Sequence, residues 1–252
     1  MLKDKVIIVT GAGSGIGRAA SIIFARAGAK VLATDYNEAA VQETAALVGK
    51  AGGTAKAMQV DVSKEADVIA MVDFAVKSFG RLDGAFNNAG VPMHGKRVDE
   101  LSEGEWDRVL DINLKGVFFC MKYETLAMSK SGGGAIVNTA SANGLVGNPN
   151  SVEYIASKHG VVGITRGAAC DAAVTKVRVN AVLPGVIKTA MVNDLLVNPE
   201  MKDFFDTTLA RHTVGRLGEP EDIGYAAKWL LSDEASFMNG AAVCVDGGYT
   251  AR

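Results

Sequence analysis

Short runs rich in β-branched residues alternate with longer stretches of helical periodicity along the whole chain. The strand candidates are residues 5–10, 30–34, 55–60, 84–87, 135–139, 178–183 and 242–245. The helix candidates are residues 15–27, 38–51, 64–79, 105–129, 153–173 and 220–231. A helix between two strands favours parallel pairing, because it carries the chain back to the same end of the sheet. The pattern therefore predicts an α/β fold with a doubly wound, seven-stranded parallel sheet and helices on both faces.

The alternation runs on without an interdomain linker, a fixed-period repeat or a low-complexity tract. With 252 residues, 48% of them hydrophobic, the chain can bury a sizeable core. We therefore predict a single domain over residues 1–252. Its least regular stretch, residues 187–218, carries apolar side chains between polar ones. This pattern predicts a short helical lid that covers a substrate site.

Charge and hydropathy exclude several classes of protein. A net charge of -2 leaves no basic surplus for a phosphate backbone, so we expect no nucleic-acid partner. No apolar stretch approaches the roughly 18 residues that span a bilayer, and the apolar run at residues 6–9 is too short for a signal peptide. Three widely spaced cysteines, Cys120, Cys170 and Cys244, suit a reducing compartment. We expect a cytoplasmic protein without a membrane partner.

A glycine-rich turn, Thr10-Gly-Ala-Gly-Ser-Gly-Ile-Gly17, joins the first predicted strand to the first helix. Gly11, Gly15 and Gly17 lack side chains where the backbone must turn sharply and approach a pyrophosphate at a helix amino terminus. Their spacing is Gly-x-x-x-Gly-x-Gly rather than the longer-known Gly-x-Gly-x-x-Gly. Together with Ser14 and Ile16 they are predicted to bind a dinucleotide, which makes the doubly wound sheet a Rossmann fold.

Asp35 ends the second predicted strand, 18 positions after Gly17. An acidic residue near this offset bonds the adenosine ribose hydroxyls and would repel a 2'-phosphate. Neither Ser14 nor Tyr36 offers a cation for such a phosphate. The sequence therefore predicts NAD rather than NADP as the cofactor.

Tyr154 and Lys158 stand four residues apart on one predicted helix, and Ser141 follows the strand candidate before it. Oxidation of an alcohol needs a base beside the hydroxyl group. A free phenol has a pKa of roughly 10, so its anion must be stabilised, and an ammonium group on the same helix face can do this. Ser141 would donate a hydrogen bond to the substrate oxygen. Each of these residues alone also fits a purely structural role.

In this order and spacing, the chain resembles the standard branch of the short-chain dehydrogenase/reductase family along essentially its whole length. The resemblance implies that Ser141, Tyr154 and Lys158 are catalytic, and that Asn113 holds a water that links Lys158 to solvent. It also implies a homotetramer. Further cofactor contacts carried over from the family's motifs are Asp35, Tyr36, Asp61, Val62, Asn88, Ala89, Gly90, Tyr154, Lys158, Pro184, Gly185, Ile187 and Thr189.

The substrate is expected to be a small molecule, a hydrophobic or cyclic secondary alcohol or its ketone, because the predicted lid and loops are mainly aliphatic. Residues 83–88, 120–123 and 229–233 look similar to relatives that oxidise cyclic diols. The candidate substrate contacts are Ser141, Asn143, Tyr154, Met93 and Met191.

Three other functions stay open. The chain could be an NADPH-dependent 3-oxoacyl-thioester reductase of the same family, against which Asp35 argues, or a sugar or steroid dehydrogenase. It could also be a nucleotide-sensing regulator without catalysis, although such a protein would be expected to lose Tyr154 or Lys158.

The histidines do not suggest a metal centre. His94, His159 and His212 have neither the close mutual spacing nor the neighbouring cysteines of a metal site. We predict no metal ligand.

Overall fold

A computed structural model of the protein describes residues 1–189, 207 and 209–251. Within these residues the chain forms one parallel sheet of seven strands in the order β3-β2-β1-β4-β5-β6-β7. The strands are β1 Val6–Thr10, β2 Lys30–Asp35, β3 Thr54–Gln59, β4 Gly84–Asn87, β5 Gly134–Thr139, β6 Val177–Pro184 and β7 Ala242–Val245. The predicted seven-stranded parallel sheet is confirmed.

Helices cover both faces of this sheet, as predicted for a doubly wound fold. The helices are α1 Gly15–Arg26, α2 Glu38–Lys50, α3 Glu65–Phe79, α4 Glu103–Leu110, α5 Gly116–Lys130, α6 Val152–Cys170, α7 Ala172–Thr175 and α8 Pro220–Leu231. Helices α3, α5 and α6 bury residues such as Met71 and Val161 on one face. Helices α1, α2 and α8 bury Phe24, Val41 and Ile223 on the other. The result is a single-domain Rossmann-like fold.

The predicted helix over residues 105–129 is not continuous. It begins earlier, at Glu103, because Ser102 and Glu105 form a capping box. A π-helical turn, Asp111–Lys115, then separates α4 from α5. Such turns hold one extra residue and occur often at functional sites. Here the turn contains Asn113, whose side chain is fully buried.

The predicted helix over residues 153–173 also ends early. Helix α6 stops at Cys170, and the short α7 is closed by Lys176 in a left-handed conformation. This ending lies at the amino end of β6, far along the helix from Tyr154 and Lys158. The difference therefore leaves the predicted catalytic segment unchanged.

Strand order locates the site. The chain crosses from β3 to β4 on the opposite side of β1, so the connections after β1 and β4 diverge at the carboxyl edge of the sheet. Ligands of open α/β sheets bind at such a switch point. Gly11 follows β1, Asn88 follows β4 and Ser141 follows β5, so three predicted site segments emerge at this edge.

The predicted lid lies mostly outside the described residues, because residues 190–206 and 208 are not among them. At its start, Ile187 pairs with Gly218 in a parallel bridge, which brings the two ends of the stretch together. None of the helices in the described part of the chain combines the length and the apolar character that crossing a bilayer requires.

Candidate active site

The glycine turn is shaped by backbone contacts that exclude side chains. Gly11 and Gly15 have positive φ angles of 64° and 49°, which L side chains rarely adopt. A Cβ atom on Gly17 would lie 2.1 Å from the carbonyl oxygen of Gly11. Helix α1 can therefore start directly beneath β1, with its first N–H groups facing the turn. This cradle fits a pyrophosphate.

Gly13, which the sequence analysis passed over, joins the turn to Asp35. Its N–H donates to Oδ2 of Asp35 at 2.8 Å, and a Cβ atom there would lie 2.9 Å from Cγ of Asp35. The other oxygen, Oδ1, accepts from the N–H of Asn37 at 2.9 Å. Two backbone donors thus hold the carboxylate at the end of β2, where it can still accept from ribose hydroxyls. Gly13 is the second of the four glycines in this turn, and that extra glycine was the signal available in the sequence.

A cation that the sequence analysis also missed lies beside this turn. The guanidinium group of Arg18 donates to the carbonyl oxygen of Gly13 at 2.5 Å and to the hydroxyl of Thr44 at 3.0 Å. It also forms an ion pair with Glu43 at 2.6 Å. Its Nε and Nη2 groups are therefore engaged inside the chain, and its charge is balanced by a carboxylate.

The predicted adenine side of the site contains Tyr36, Asp61 and Val62. Tyr36 is 71% exposed at the end of β2. The carboxylate of Asp61 accepts from the N–H and hydroxyl groups of Ser63, at 3.1 and 2.6 Å. Val62 is buried against Gly116, where a Cβ atom would lie 2.9 Å from a methyl group of Val62. These residues form the outer wall of the same edge.

Thr10 ties the end of β1 to the end of β4. Its hydroxyl oxygen accepts from the N–H groups of Asn88 and Ala89, at 3.0 and 3.1 Å. The Asn88 amide donates back to the carbonyl oxygens of Thr10 and Gly11, at 3.2 and 3.3 Å. The predicted cofactor contacts on these two strands are therefore brought together.

Lys158 is buried with its ammonium group pointing at the end of β5. The side chain is 4% exposed, and Nζ donates to the carbonyl oxygen of Thr139 at 2.9 Å. It lies 5.5 Å from the centre of the Tyr154 ring. Burial lowers the pKa of Lys158 to about 8, because the low-polarity surroundings disfavour the charged form. The predicted pair is thus in contact on one face of α6.

Ser141 and Tyr154 face each other at the start of the site. Burial raises the pKa of Tyr154, and the hydrogen bond with the Ser141 hydroxyl opposes this rise. The Ser141 oxygen also accepts from the N–H of Asn143 at 3.1 Å.

The π-helical turn places the buried side chain of Asn113 against the loop after β4. Its amide donates to the carbonyl oxygen of Val91 at 2.9 Å and accepts from the N–H of Val91 at 2.8 Å. A Cβ atom on Gly90 would lie 3.1 Å from Oδ1 of Asn113 and 3.7 Å from Nζ of Lys158. Asn113 and Lys158 therefore flank the same backbone atom. The side chain of Asn113 holds the loop after β4.

The segment after β6 returns to the glycine turn. Pro184 ends the strand, and a Cβ atom on Gly185 would lie 2.9 Å from the carbonyl oxygen of Asp246. Ile187 is buried, and the methyl group of Thr189 lies 2.9 Å from where a Cβ atom on Gly15 would stand. The predicted contacts on this segment thus reach back to the glycine turn.

The candidate substrate contacts are placed less uniformly. Met93 is 38% exposed in the loop after β4. Asn143 is buried, and its Oδ1 accepts from the amide of Asn148 at 2.7 Å, so its side chain supports the loop after Ser141. Met191 lies outside the described residues.

Within the described ranges, no group of three or more His, Cys, Asp or Glu side chains is arranged to hold a metal ion. His94 instead lies against Glu153, and the N–H of Val186 bonds His212 at 3.1 Å. These histidines belong to the protein scaffold around the site.

Comparison with known proteins covers nearly the whole chain. A family model described as enoyl-(acyl carrier protein) reductase matches residues 11–250. A 2,5-dichloro-2,5-cyclohexadiene-1,4-diol dehydrogenase of Sphingobium indicum is 45% identical over 251 residues, with 99% of this chain and 98% of the relative covered. A cyclohexanol dehydrogenase of an Acinetobacter species is 42% identical over 250 residues, covering 99% and 96%.

The backbone is similarly close to that of a solved structure. The crystal structure of levodione reductase superposes with a TM-score of 0.95 at 37% identity, covering 100% of this chain and 99% of the other. The family uses nicotinamide cofactors, which the glycine cradle and Asp35 fit. These matches show that the chain belongs to the short-chain dehydrogenase/reductase family and is an oxidoreductase of the alcohol dehydrogenase type.

Proposed function

We propose that the protein is an NAD-dependent dehydrogenase that interconverts a hydrophobic, cyclic secondary alcohol and its ketone. The observation that carries this proposal is the buried ammonium group of Lys158 beneath the ring of Tyr154, with the Ser141 hydroxyl beside the phenol. The full-length relatives named for cyclic alcohol substrates support the choice of substrate class.

In this proposal Tyr154 accepts the proton of the substrate hydroxyl, while Ser141 donates a hydrogen bond that holds the substrate oxygen. The charge of Lys158, whose Nζ lies 5.5 Å from the centre of the Tyr154 ring, stabilises the phenolate anion. When bound, the oxidised nicotinamide supplies the hydride acceptor and a second positive charge.

Lys158 and the π-helical turn give the proton an exit. The amide of Asn113 is engaged with Val91, so it is not free to relay a proton itself. A π-helical turn leaves a carbonyl oxygen without its usual helical donor, and this oxygen can hold a water near Lys158. We therefore assign the relay to the backbone of the turn that contains Asn113.

Asp35 supports NAD over NADP. Its carboxylate is held by the N–H groups of Gly13 and Asn37 at the end of β2, where it would accept from the adenosine ribose and repel a 2'-phosphate. Arg18 is a cation beside this turn, but its Nε already donates to Thr44 and its Nη2 already pairs with Glu43. The other predicted contacts at this position, Ser14 and Tyr36, are uncharged and offer no cation to the phosphate.

The experiment is a panel of secondary alcohols, cyclic and linear, assayed for NADH and NADPH formation. We expect turnover of cyclic alcohols with NAD+, and loss of at least about 10³-fold in kcat for Tyr154→Phe with NAD+ binding retained. Turnover of the Tyr154→Phe variant near the wild-type rate would place the base elsewhere. Absence of activity on every alcohol would refute the substrate class.

The description of the matching family model names an enoyl thioester as substrate, which favours one second candidate, a reductase of the acyl chain of a thioester. Such a reductase would be expected to use NADPH. The same assay run with an enoyl thioester and a 3-oxoacyl thioester, each with both reduced cofactors, separates the two functions, because an NADPH-specific thioester activity would exceed any alcohol oxidation.

We also propose a cytoplasmic homotetramer. Apolar side chains remain exposed on the α4 and α5 surface, among them Trp106 at 37%, Phe118 at 47% and Leu126 at 54%. Cys170 and Cys244 are exposed thiols, which suits a reducing compartment. A monomer in light scattering would contradict the tetramer.

A further inference from the structure

A fully buried carboxylate stands next to the predicted base. Glu153 lies in the first turn of α6, directly before Tyr154, and is 0% exposed. Its Oε1 accepts from the N–H of His94 at 2.8 Å and lies 3.4 Å from Nδ1 of the same residue. Its Oε2 is buried and has no hydrogen-bond partner among the described residues. A buried carboxylate with few partners destabilises a fold, so a role beyond packing is indicated.

The segment that Glu153 contacts, residues 90–94, lies beside two residues of the candidate site. At one end of residues 90–94, Gly90 lies against Lys158 and Asn113, and both backbone groups of Val91 are bonded to the Asn113 amide. At the other end, the N–H of His94 is bonded to Glu153. Met93 lies between these two attachments. It is still 38% exposed, so its thioether is available to a ligand.

We propose that Glu153 is a positioning residue that determines specificity. By bonding the His94 N–H, it holds residues 90–94 against the first turn of α6, and Met93 then forms a rigid apolar wall next to the phenol of Tyr154. The ligand class for this wall is an apolar carbocycle that carries the reacting hydroxyl group. This inference rests on the proposed function and deepens it, because it assigns the ring of the substrate to named residues.

A carboxylate suits this position for a physical reason. Glu153 lies at the amino end of a long helix, where the unpaired N–H groups favour negative charge. A charged acceptor also bonds a backbone N–H more strongly than a neutral one does. The attachment of residues 90–94 is therefore strong while no polar group of Glu153 reaches solvent. Removing it should loosen Met93 without moving Tyr154, Lys158 or the glycine turn.

The test compares Glu153→Gln, which keeps an acceptor, with Glu153→Met, which fills a similar volume without one. For cyclohexanol we expect Glu153→Met to raise KM at least about tenfold, with kcat within threefold and the NAD+ dissociation constant unchanged. Glu153→Gln should restore KM to within about threefold of the wild type. Met93→Ala should raise KM in the wild type and add little in the Glu153→Met background, because the wall is already lost.

The role is overturned if KM for cyclohexanol is unchanged in Glu153→Met, or if the Met93→Ala effect is fully additive. Should Glu153→Met fail to fold, Met93→Ala still decides, since the inference requires its KM to rise at least fivefold. Hydrogen exchange of the peptide over residues 90–95 needs no turnover. Its protection must fall in a folded Glu153→Met and persist in Glu153→Gln. The protein could show this exchange pattern and still be inactive on all alcohols. That result would refute the proposed function but retain the positioning role of Glu153.

Discussion

The two halves of the sheet satisfy their buried polar groups in different ways. In the half built by β1 to β3, the buried polar side chains of residues 1–82 are all hydroxyls. Ser21, Thr34 and Thr44 donate to backbone carbonyl oxygens, and Thr10 accepts from backbone N–H groups. This half holds the glycine cradle, and we call it the cofactor half. Its buried polar side chains bond backbone atoms.

The half built by β4 to β7 also buries amides, carboxyl groups and an amine, and some of these side chains bond one another, whereas others such as Lys158 bond the backbone. Asn87 donates to Oε2 of Glu124 at 2.9 Å and to Oδ1 of Asn138 at 3.1 Å, and Asn138 donates to Thr165 at 2.9 Å. These strands end at the residues that place the catalytic groups. This half, which we call the catalytic half, thus contains a buried network of side chains that are distant in sequence.

One protein can therefore encode a binding site and a catalytic site in different ways. A cofactor shared by a whole family can be recognised by a backbone shape that any sequence with the right glycines adopts. A site for a particular substrate needs side chains supported by other side chains. Changes in the first half should therefore act through added atoms, and changes in the second half through removed hydrogen bonds.

The largest expected effect comes from adding one atom to the cofactor half. Gly17→Ala would place Cβ 2.1 Å from the carbonyl oxygen of Gly11, so α1 must separate from the turn. We expect a loss of more than about 3 kcal/mol in the free energy of unfolding and a decrease of about 10 °C in Tm. The NAD+ dissociation constant should also rise at least about 100-fold. Thermal unfolding and cofactor titration measure both.

Gly49→Ala is the matched control. Gly49 lies in α2, and a Cβ atom there would meet no atom within 4 Å. Alanine should stabilise the helix by about 0.5–1 kcal/mol and leave cofactor binding unchanged. Equal effects of the two substitutions would mean that the backbone of the turn tolerates a side chain, and the comparison between the halves would fail.

The same contrast explains what the sequence could predict. The strand positions and the roles assigned to Gly11, Gly15, Gly17 and Asp35 follow from local spacing, because each depends on one strand–turn–helix unit. The buried carboxylates could not be predicted in this way. In the sequence, Glu124 and Glu153 look like exposed charged residues of helices. In the structure they are buried, and each bonds a residue far away in sequence, at separations of 37 and 59 positions. Asn143 was predicted to reach substrate, and its burial likewise depends on Asn148.

The second prediction tests the side-chain network of the catalytic half. Burial raises the pKa of Glu124 to about 8, and the hydrogen bond from Asn87 opposes the rise. The folded protein therefore keeps a proton that the unfolded chain loses above a pKa of 4.5. Stability is then greatest at low pH and falls as pH rises from about 4.5 to about 8. Glu124→Gln should remove this loss, worth on the order of 2–4 kcal/mol.

Urea unfolding at pH 5 and pH 8 measures the effect, because the variant should gain stability relative to the wild type only at the higher pH. Glu103→Gln, an exposed residue of α4, is the control and should show no such difference. A Glu124→Gln variant that follows the wild-type pH dependence would mean that Glu124 carries no proton in the folded state.

The third prediction returns to the cofactor half and to charge. Asp35→Asn keeps an acceptor for the N–H of Gly13 and removes the negative charge. We expect the ratio of kcat/KM for NAD+ over NADP+ to fall about 100-fold, since repulsion of the 2'-phosphate is lost. Adding Glu43→Gln should lower the ratio further by freeing Arg18. An unchanged ratio in Asp35→Asn would refute the NAD assignment, and Asp73→Asn, exposed on α3, controls for net charge.

We expect the weakest effect on stability and on KM from changes to the contacts that hold the loop after Ser141. Asn148 donates to Oδ1 of Asn143 at 2.7 Å and to the hydroxyl of Tyr249 at 3.2 Å, so it joins the loop after β5 to the end of the chain. Asn148→Ala should cost about 1 kcal/mol and raise KM for a cyclic alcohol about fivefold, with kcat and NAD+ binding nearly unchanged.

Tyr249→Phe removes only the hydroxyl contact and should cause a smaller rise in KM, because the Asn143 bond remains. Steady-state kinetics with the alcohol and cofactor varied separately distinguish these outcomes. A change in NAD+ affinity as large as the change in KM for the alcohol would show that the loop supports both ligands. The division between a cofactor half set by the backbone and a catalytic half set by side chains would then not extend to this edge of the site.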